Sequence, residues 1–128
     1  MSASLPNGFY ANLIRHGFPS DHEFKVALFK EPQSASTYSS DGECEGEGYE
    51  AKTLTGYRVE DFGHYATLGF DSLVDWFNAT IVAHSAVVFD ATTGVVVSIM
   101  NFDKPSGVVG GVFSLNLHPE GVLRLGEA

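Results

Sequence analysis

Five histidines, sixteen carboxylates and a single thiol are the side chains in this chain with chemistry to offer. A nucleophile elbow needs Gly-x-Ser-x-Gly, because the serine must sit on a tight strand-to-helix turn. Ser72, Ser85 and Ser106 stand in FDSLV, AHSAV and KPSGV, and none carries the flanking glycines. His84 beside Ser85 admits a base backed by Asp75 or Asp90, yet no nucleophile falls into place, and a hydrogen-bonded structural histidine is the simpler reading. His16 at a helix end and His64 in DFGHYA read as structural, and His22 as a solvated strand start. Zinc needs a Cys pair or a His pair on a helix, and neither is present. Gly107, Gly110 and Gly111 do not follow a strand and open a helix, as a phosphate-cradling loop must, and read as a loop between strands. No catalytic residue, metal ligand or cofactor contact is expected.

The acidic stretch DGECEGEGYE gathers Asp41, Glu43, Glu45, Glu47 and Glu50. Calcium takes six or more oxygens, but this spacing is not that of a helix–loop–helix site; a solvated acidic loop is the competing reading. Tyr38 and Tyr49 flank the stretch, placed either to anchor a partner or to pack at the loop base. Cys44 lies inside it, the only cysteine, so no internal disulfide forms. The surrounding acid also disfavours the thiolate that would start a pairing between chains. A lone thiol fits manufacture in a reducing cytoplasm.

The elements that must position these groups are mostly strands. Leu5 to His16 has helical spacing at Phe9, Leu13 and His16 and at Tyr10 and Ile14, with Asn7 to cap it and Gly17 to end it. A helix this short must lie against its own domain or a neighbouring subunit. Phe24, Val26 and Leu28 alternate with Lys25 and Ala27, the mark of a half-buried strand. Residues 31–48 read as an exposed acidic loop. A strand-like pattern resumes over Tyr49 to Val59, with a kink at Gly56. Phe62 to Phe70 follows, with Ala66, Leu68 and Phe70 on one face. Thr80 to Phe89 is apolar on both faces, Ile81, Val87 and Phe89 one way and Val82, Ala86 and Val88 the other, so it is covered on both sides. DATTG suits a type I turn closed by a left-handed glycine, hence a hairpin returning along Val95 to Phe102. Phe113, Leu115 and Leu117 point inward from the next strand, and HPEG turns the chain into VLRL as its partner strand. Trp76 and Phe77 open the most apolar region and read as core rather than as the exposed aromatics of a carbohydrate-binding module.

Seven or eight short strands with one helix predict an all-β, antiparallel β-sandwich or barrel, jelly-roll-like, with a short N-terminal helix. At 128 residues this is a single domain spanning 1–128, with 1–20 as an N-terminal arm. A net charge of −9 repels phosphate and anionic lipid, which argues against nucleic-acid and membrane partners. The N-terminus lacks the basic start and apolar run of a signal peptide. No uninterrupted apolar run reaches the ~20 residues of a membrane span.

The parts WFNATIVAHSAVVFD, ATTGVVVSIMNF and VFSLNLHPEGVLRL, preceded by NLIRHGFPSDHEFKVALFKEP and GEGYEAKTL, resemble the small virion structural proteins of tailed bacteriophages, capsid decoration (cement) or tail-associated. The resemblance covers nearly the whole chain, and the long acidic loop departs from it. It implies a non-enzymatic protein on the capsid surface of a virion, assembled in the host cytoplasm. It also implies a dimer or trimer with the major capsid protein as partner. Leu5, Phe9, Tyr10, Leu13 and Ile14 are the candidate docking arm, the alternative being that this segment folds back on its own domain; Tyr38 is a further candidate contact. A tail, fibre or head–tail junction protein and a carbohydrate-binding module are the other readings, distinguished by symmetry and by glycan binding.

Overall fold

The computed structural model describes residues 6–71, 73–118 and 121–126. In chain order these form α1 (Phe9–Gly17), β1 (Phe24–Phe29), β2 (Lys52–Thr53), β3 (Arg58–Asp61), β4 (Tyr65–Gly69), β5 (Leu73–Asp90), β6 (Val96–Asn116) and β7 (Leu123–Gly126). The protein is mostly antiparallel β-structure with one short helix. Its strands make two sheets, ordered β2-β1-β5-β6 and β3-β4-β7, and neither closes into a barrel among the described residues.

The helix starts later than its apolar spacing predicts. Gly8 takes a left-handed conformation (φ 76°) and caps α1 in place of Asn7, so the helical run begins at Phe9. Ala11 and Ile14, three residues apart, are buried, which seats one stripe of α1 against β3, β4 and β7. The Tyr57 hydroxyl donates to the Phe18 carbonyl at 2.7 Å and fixes the exit of the helix.

One buried cluster joins the two sheets: Val26 and Leu28 of β1, Ala66 and Leu68 of β4, Trp76 and Ile81 of β5, Phe113 and Leu115 of β6, with Ile14 of the helix. A smaller cluster of Ala27, Phe29, Val87 and Phe89 lies on the other face of β1 and β5. Both faces of this part of the sheet are therefore covered, as the two-sided apolar pattern predicts.

The β5–β6 hairpin turns at Asp90–Gly94 in the expected way. Asp90 is fully buried. Its Oδ1 accepts from the Thr92 and Thr93 amides at 2.9 and 3.3 Å, and Gly94 closes the turn at φ 83°. Beyond the turn the strand pair is irregular. Ala83 faces Ser106 but Ser85 faces Asn101, so β6 bulges out over the four residues between. A bulge re-phases alternation. Ile81 and Ala83 before it and Ala86 and Val88 after it all reach the main core, so Ile81 does not share a face with Val87 and Phe89 as strict alternation predicts. A second irregularity at Asn78 (φ 49°), a residue type that tolerates the left-handed region, separates Trp76 from Ala79.

Three further expectations are corrected. Gly107, Gly110 and Gly111 lie within β6, not in a loop; a Cβ on Gly107 would meet the Ile81 carbonyl at 2.7 Å, so close strand approach explains that glycine. Phe62 belongs to a turn before β4, with its amide bonded to the Tyr65 carbonyl at 2.9 Å. VLRL pairs with β4 rather than with the strand before it, with Leu123 opposite Leu68 and Arg124 opposite Thr67.

Residues 31–48 are largely exposed but not free. Their backbone bonds to the Leu28 carbonyl through Cys44 and to the Gly94 carbonyl through Tyr38, and the Val96 amide donates to Ser36. Gln33 and Asn101 exchange two hydrogen bonds of 2.9 and 3.1 Å. The loop thus runs over the smaller cluster and covers the start of the β6 edge. The Tyr38 ring stacks on Phe89 at 3.9 Å.

Candidate functional site

No triad assembles around His84. Asp90 Oδ2 lies 2.6 Å from His22 Nδ1, Asp75 accepts from Ser114 Oγ at 2.6 Å, and the Ser85 hydroxyl donates to the Glu31 carbonyl at 2.8 Å. Each group that a hydrolase would need is held by another partner. His22, read as solvated, instead ties the start of β1 to the buried turn acid. Among the described residues no three His, Cys, Asp or Glu side chains converge as metal ligands. Glu43 instead accepts from the Tyr49 hydroxyl at 2.5 Å and from the Tyr38 hydroxyl, so the tyrosines serve the loop base. Burial, then the hydrogen bond to the Glu43 carboxylate, pushes the Tyr38 hydroxyl up to about 12 and Tyr49 higher still, against a smaller opposing effect of the Leu28 amide.

Cys44 is buried, with Sγ 3.2 Å from the Val82 carbonyl. Burial raises its thiol from 9.0 to about 11; Lys30 opposes this and Glu43 adds to it. Two units remove about 99% of the thiolate present at neutral pH. Iodoacetamide is therefore expected to alkylate the folded chain about 100-fold more slowly than the urea-unfolded chain, a ratio read by mass spectrometry.

The candidate docking arm divides. Leu5 lies outside the described residues. Ile14 is buried in the protein's own core, Phe9 and Tyr10 are half-buried with their rings edge to face at 5.4 Å, and Leu13 is 45% exposed. The described part of the segment thus packs Ile14 against its own domain and leaves Leu13 at the surface.

A larger apolar surface lies elsewhere. Where the acidic loop ends its cover, β5 and β6 continue as a ribbon. Trp76 and its cross-strand partner Phe113 point into the core. Alternation then turns Leu73, Phe77 and Val112 to the opposite face, and all three are exposed, Phe77 by 61%. Asp75 and Ser114, hydrogen-bonded to each other, lie between Leu73 and Phe77 on that face, and Val82 and Val109 are exposed farther along the same two strands, the latter by 84%. Beside these side chains, β6 past Asn101 forms the end of its sheet with no further strand among the described residues. Sequence reasoning missed this surface because it read Thr80 to Phe89 as covered on both sides and Phe77 as core.

A second feature lies on the other sheet. A cleft of about 470 Å³ is lined by Glu60, Phe62, Tyr65, Thr67, Leu123 and Arg124, with His118 and Gly121 at its end. Glu60, Thr67 and Arg124 form one cross-strand row over β3, β4 and β7. Phe62 stacks on Tyr65 at 4.7 Å, and the Arg124 guanidinium sits 3.8 Å over the Tyr65 ring. The sequence carried no signal for it, because it exists only once VLRL pairs with β4.

No family model, curated protein or solved structure matches the chain. Among the described residues no helix is long and apolar enough to cross a membrane.

Proposed function

We propose that the chain is a non-enzymatic structural protein of a tailed-bacteriophage virion. In this reading it sits on the capsid surface as a dimer or trimer and stabilises the shell by bridging major capsid protein subunits. Two sheets sharing one core support a β-sandwich body, jelly-roll-like in setting the non-consecutive strands β1 and β5 side by side. The observation that carries the reading is the set of exposed apolar side chains on the β5–β6 ribbon, Leu73, Phe77, Val82, Val109 and Val112, beside the open β6 edge. Exposed apolar patches of this kind mark docking surfaces, and an open edge strand invites a partner. Many weak copies acting together give a lattice its strength. The same surface serves a tail, fibre or head–tail junction protein equally well in chemistry.

Immunogold labelling of purified tailed-phage particles with an antibody to this chain is expected to place label over the shell. Label on the tail would replace the decoration reading with the junction or fibre reading. Particles without label would overturn both. A Phe77→Asp, Val109→Asp double variant is expected to fold with stability within about 0.5 kcal/mol of wild type per site, as surface changes do. It is also expected to lose more than about tenfold in binding to particles lacking the protein, as burying unpaired charge in a contact requires.

A further inference from the structure

We infer that the open β6 edge pairs antiparallel with the same edge of a second copy of this chain, so that two chains share one sheet across a two-fold axis at Gly110–Gly111. The inference rests on the oligomer of the reading above and fixes its order at two. The first support is the set of backbone groups that the edge offers. The Thr80 amide donates to the Glu47 carbonyl, away from β6. Backbone groups alternate in direction along a strand, so those of Ala79 and Ile81 face β6. There they meet Gly111 and Val108. The groups of Val109 and Val112 therefore turn outward, and beyond them those of Gly107 and Ser114. No described strand lies on that side, so the amides and carbonyls of these four residues are open to a partner.

The second support is self-complementarity. A two-fold contact requires that residue i meet residue j while j meets i. Setting Gly110 opposite the second copy's Gly111 places Val109 opposite Val112 and Gly107 opposite Ser114. All four outward-turned residues then face one another and exchange about eight backbone hydrogen bonds. The side chains agree with this register. Residues three apart on a regular strand point to opposite faces. The extra β6 residue between the Ala79–Gly111 and Ile81–Val108 pairs brings Val109 and Val112 into one phase. Both are exposed, by 84% and 52%, while Val108 and Phe113, also opposite each other, pack on the core side.

The third support is the lack of protection. Edge strands are blunted by charged side chains and by proline. Ser106 to Asn116 carries neither. At a net charge of −9 two copies repel in general, and this uncharged stretch is where they can close. Gly110 and Gly111 put no side chain at the axis, where the two backbones approach. Pro105, opposite Asn116 in this register, has no amide to give and ends the ladder. Farther on, the acidic loop covers the edge through the bonds between Gln33 and Asn101.

Sedimentation of the full chain over about 1 μM to 1 mM is expected to show monomer passing to dimer with a Kd near ~10 μM. Val109→Lys with Val112→Lys sets like charges opposite each other in two symmetric pairs and is expected to weaken the dimer at least about tenfold. Val109→Lys with Val112→Asp sets opposite charges there and is expected to bring the dimer back to within about threefold of wild type, which also shows that charge at these positions does not unfold the chain. Phe77→Asp, on the same face but off the edge, is expected to leave the dimer unchanged. In concentrated solution the Gly107, Val109, Val112 and Ser114 amides are expected to exchange with deuterium at least about tenfold more slowly than in dilute solution, while those of Val108 and Phe113, already turned to β5, keep their rates. Monomer throughout, a trimer, loss of the dimer in Phe77→Asp, or equal dimerisation of the two double variants would each overturn the pairing. These readouts need no virus particle, so their failure leaves the particle-labelling test standing, and particles without label would leave the dimer standing.

Discussion

Trp76→Ala is expected to lower stability by about 3–5 kcal/mol, the range for truncating a large buried aromatic. That is a large part of the ~5–15 kcal/mol that a domain of this kind has in total. The side chain is fully buried. Phe113 meets its ring edge to face at 5.9 Å, and the Tyr49 ring lies nearly parallel at 6.4 Å. Alanine would leave a cavity at the junction of β5, β6 and the segment leading to β2. It would also strand the Glu50 carbonyl, which now accepts from Trp76 Nε1 at 2.6 Å. Urea unfolding followed by circular dichroism measures the loss, since the fluorophore itself is removed. The neighbouring Phe77→Ala supplies the contrast. Its ring is mostly in water, so the change is expected to stay within about 0.5 kcal/mol. Equal losses at the two positions would show that the face assignment of β5 is wrong, and with it the docking surface.

That pair of positions also marks where the amino-acid pattern was legible. Short-range rules worked wherever one residue's neighbours settle its fate. Ala66, Leu68 and Phe70 are all buried, as period-two alternation requires. Asp90 and Gly94 make the turn their types demand. Gly56, at φ 77°, breaks the Tyr49–Val59 pattern into β2 and β3 at the expected place. Long-range facts were not legible. The bulge opposite His84 re-phases alternation without any local sign, because the three extra residues sit on the partner strand. The pairing of β7 with β4 depends on sheet order, which no window of sequence contains. The acidic loop read as solvent-exposed because its composition is polar. Its two glycines Gly46 and Gly48 carry a different meaning in the fold. A Cβ at either would stand within 3 Å of a β5 carbonyl, that of Thr80 or Phe77, so the loop backbone can lie against the strand only because no side chain intervenes. The candidate sites inherit these limits. The apolar surface could be read as core because nothing local tells a covered strand face from a bare one. The cleft has no sequence motif because Arg124 of β7 joins Glu60 and Thr67 of the neighbouring β3 and β4 only through sheet pairing.

Raising the pH is expected to detach the loop that holds the second cluster, and the direction follows from its two tyrosines. Tyr38 and Tyr49 both donate to Glu43. Burial and that carboxylate favour the neutral phenols and raise their titration above the ordinary 10.0, Tyr38 to about 12. The unfolded chain ionises first, so the contribution of these groups is complete below pH 10. It is lost as pH rises from 10 through about 12. An ionised phenol beside Glu43 would also place two negative charges in contact. Tyr38 would then leave Phe89, and Ala27, Phe29, Val87 and Phe89 would meet water. Tyrosinate absorbance and circular dichroism are expected to change together over that window. Glu43→Gln keeps an oxygen acceptor but removes the charge. It is expected to cost about 1–3 kcal/mol at neutral pH, as the loss of charge-assisted hydrogen bonds does, and to move the buried phenols' titration toward lower pH. If all the tyrosines ionised together near 10 with the dichroism unchanged, Glu43 would not be the clamp. The loop would then be held by its bonds to Leu28, Thr80, Gly94, Val96 and Asn101 instead.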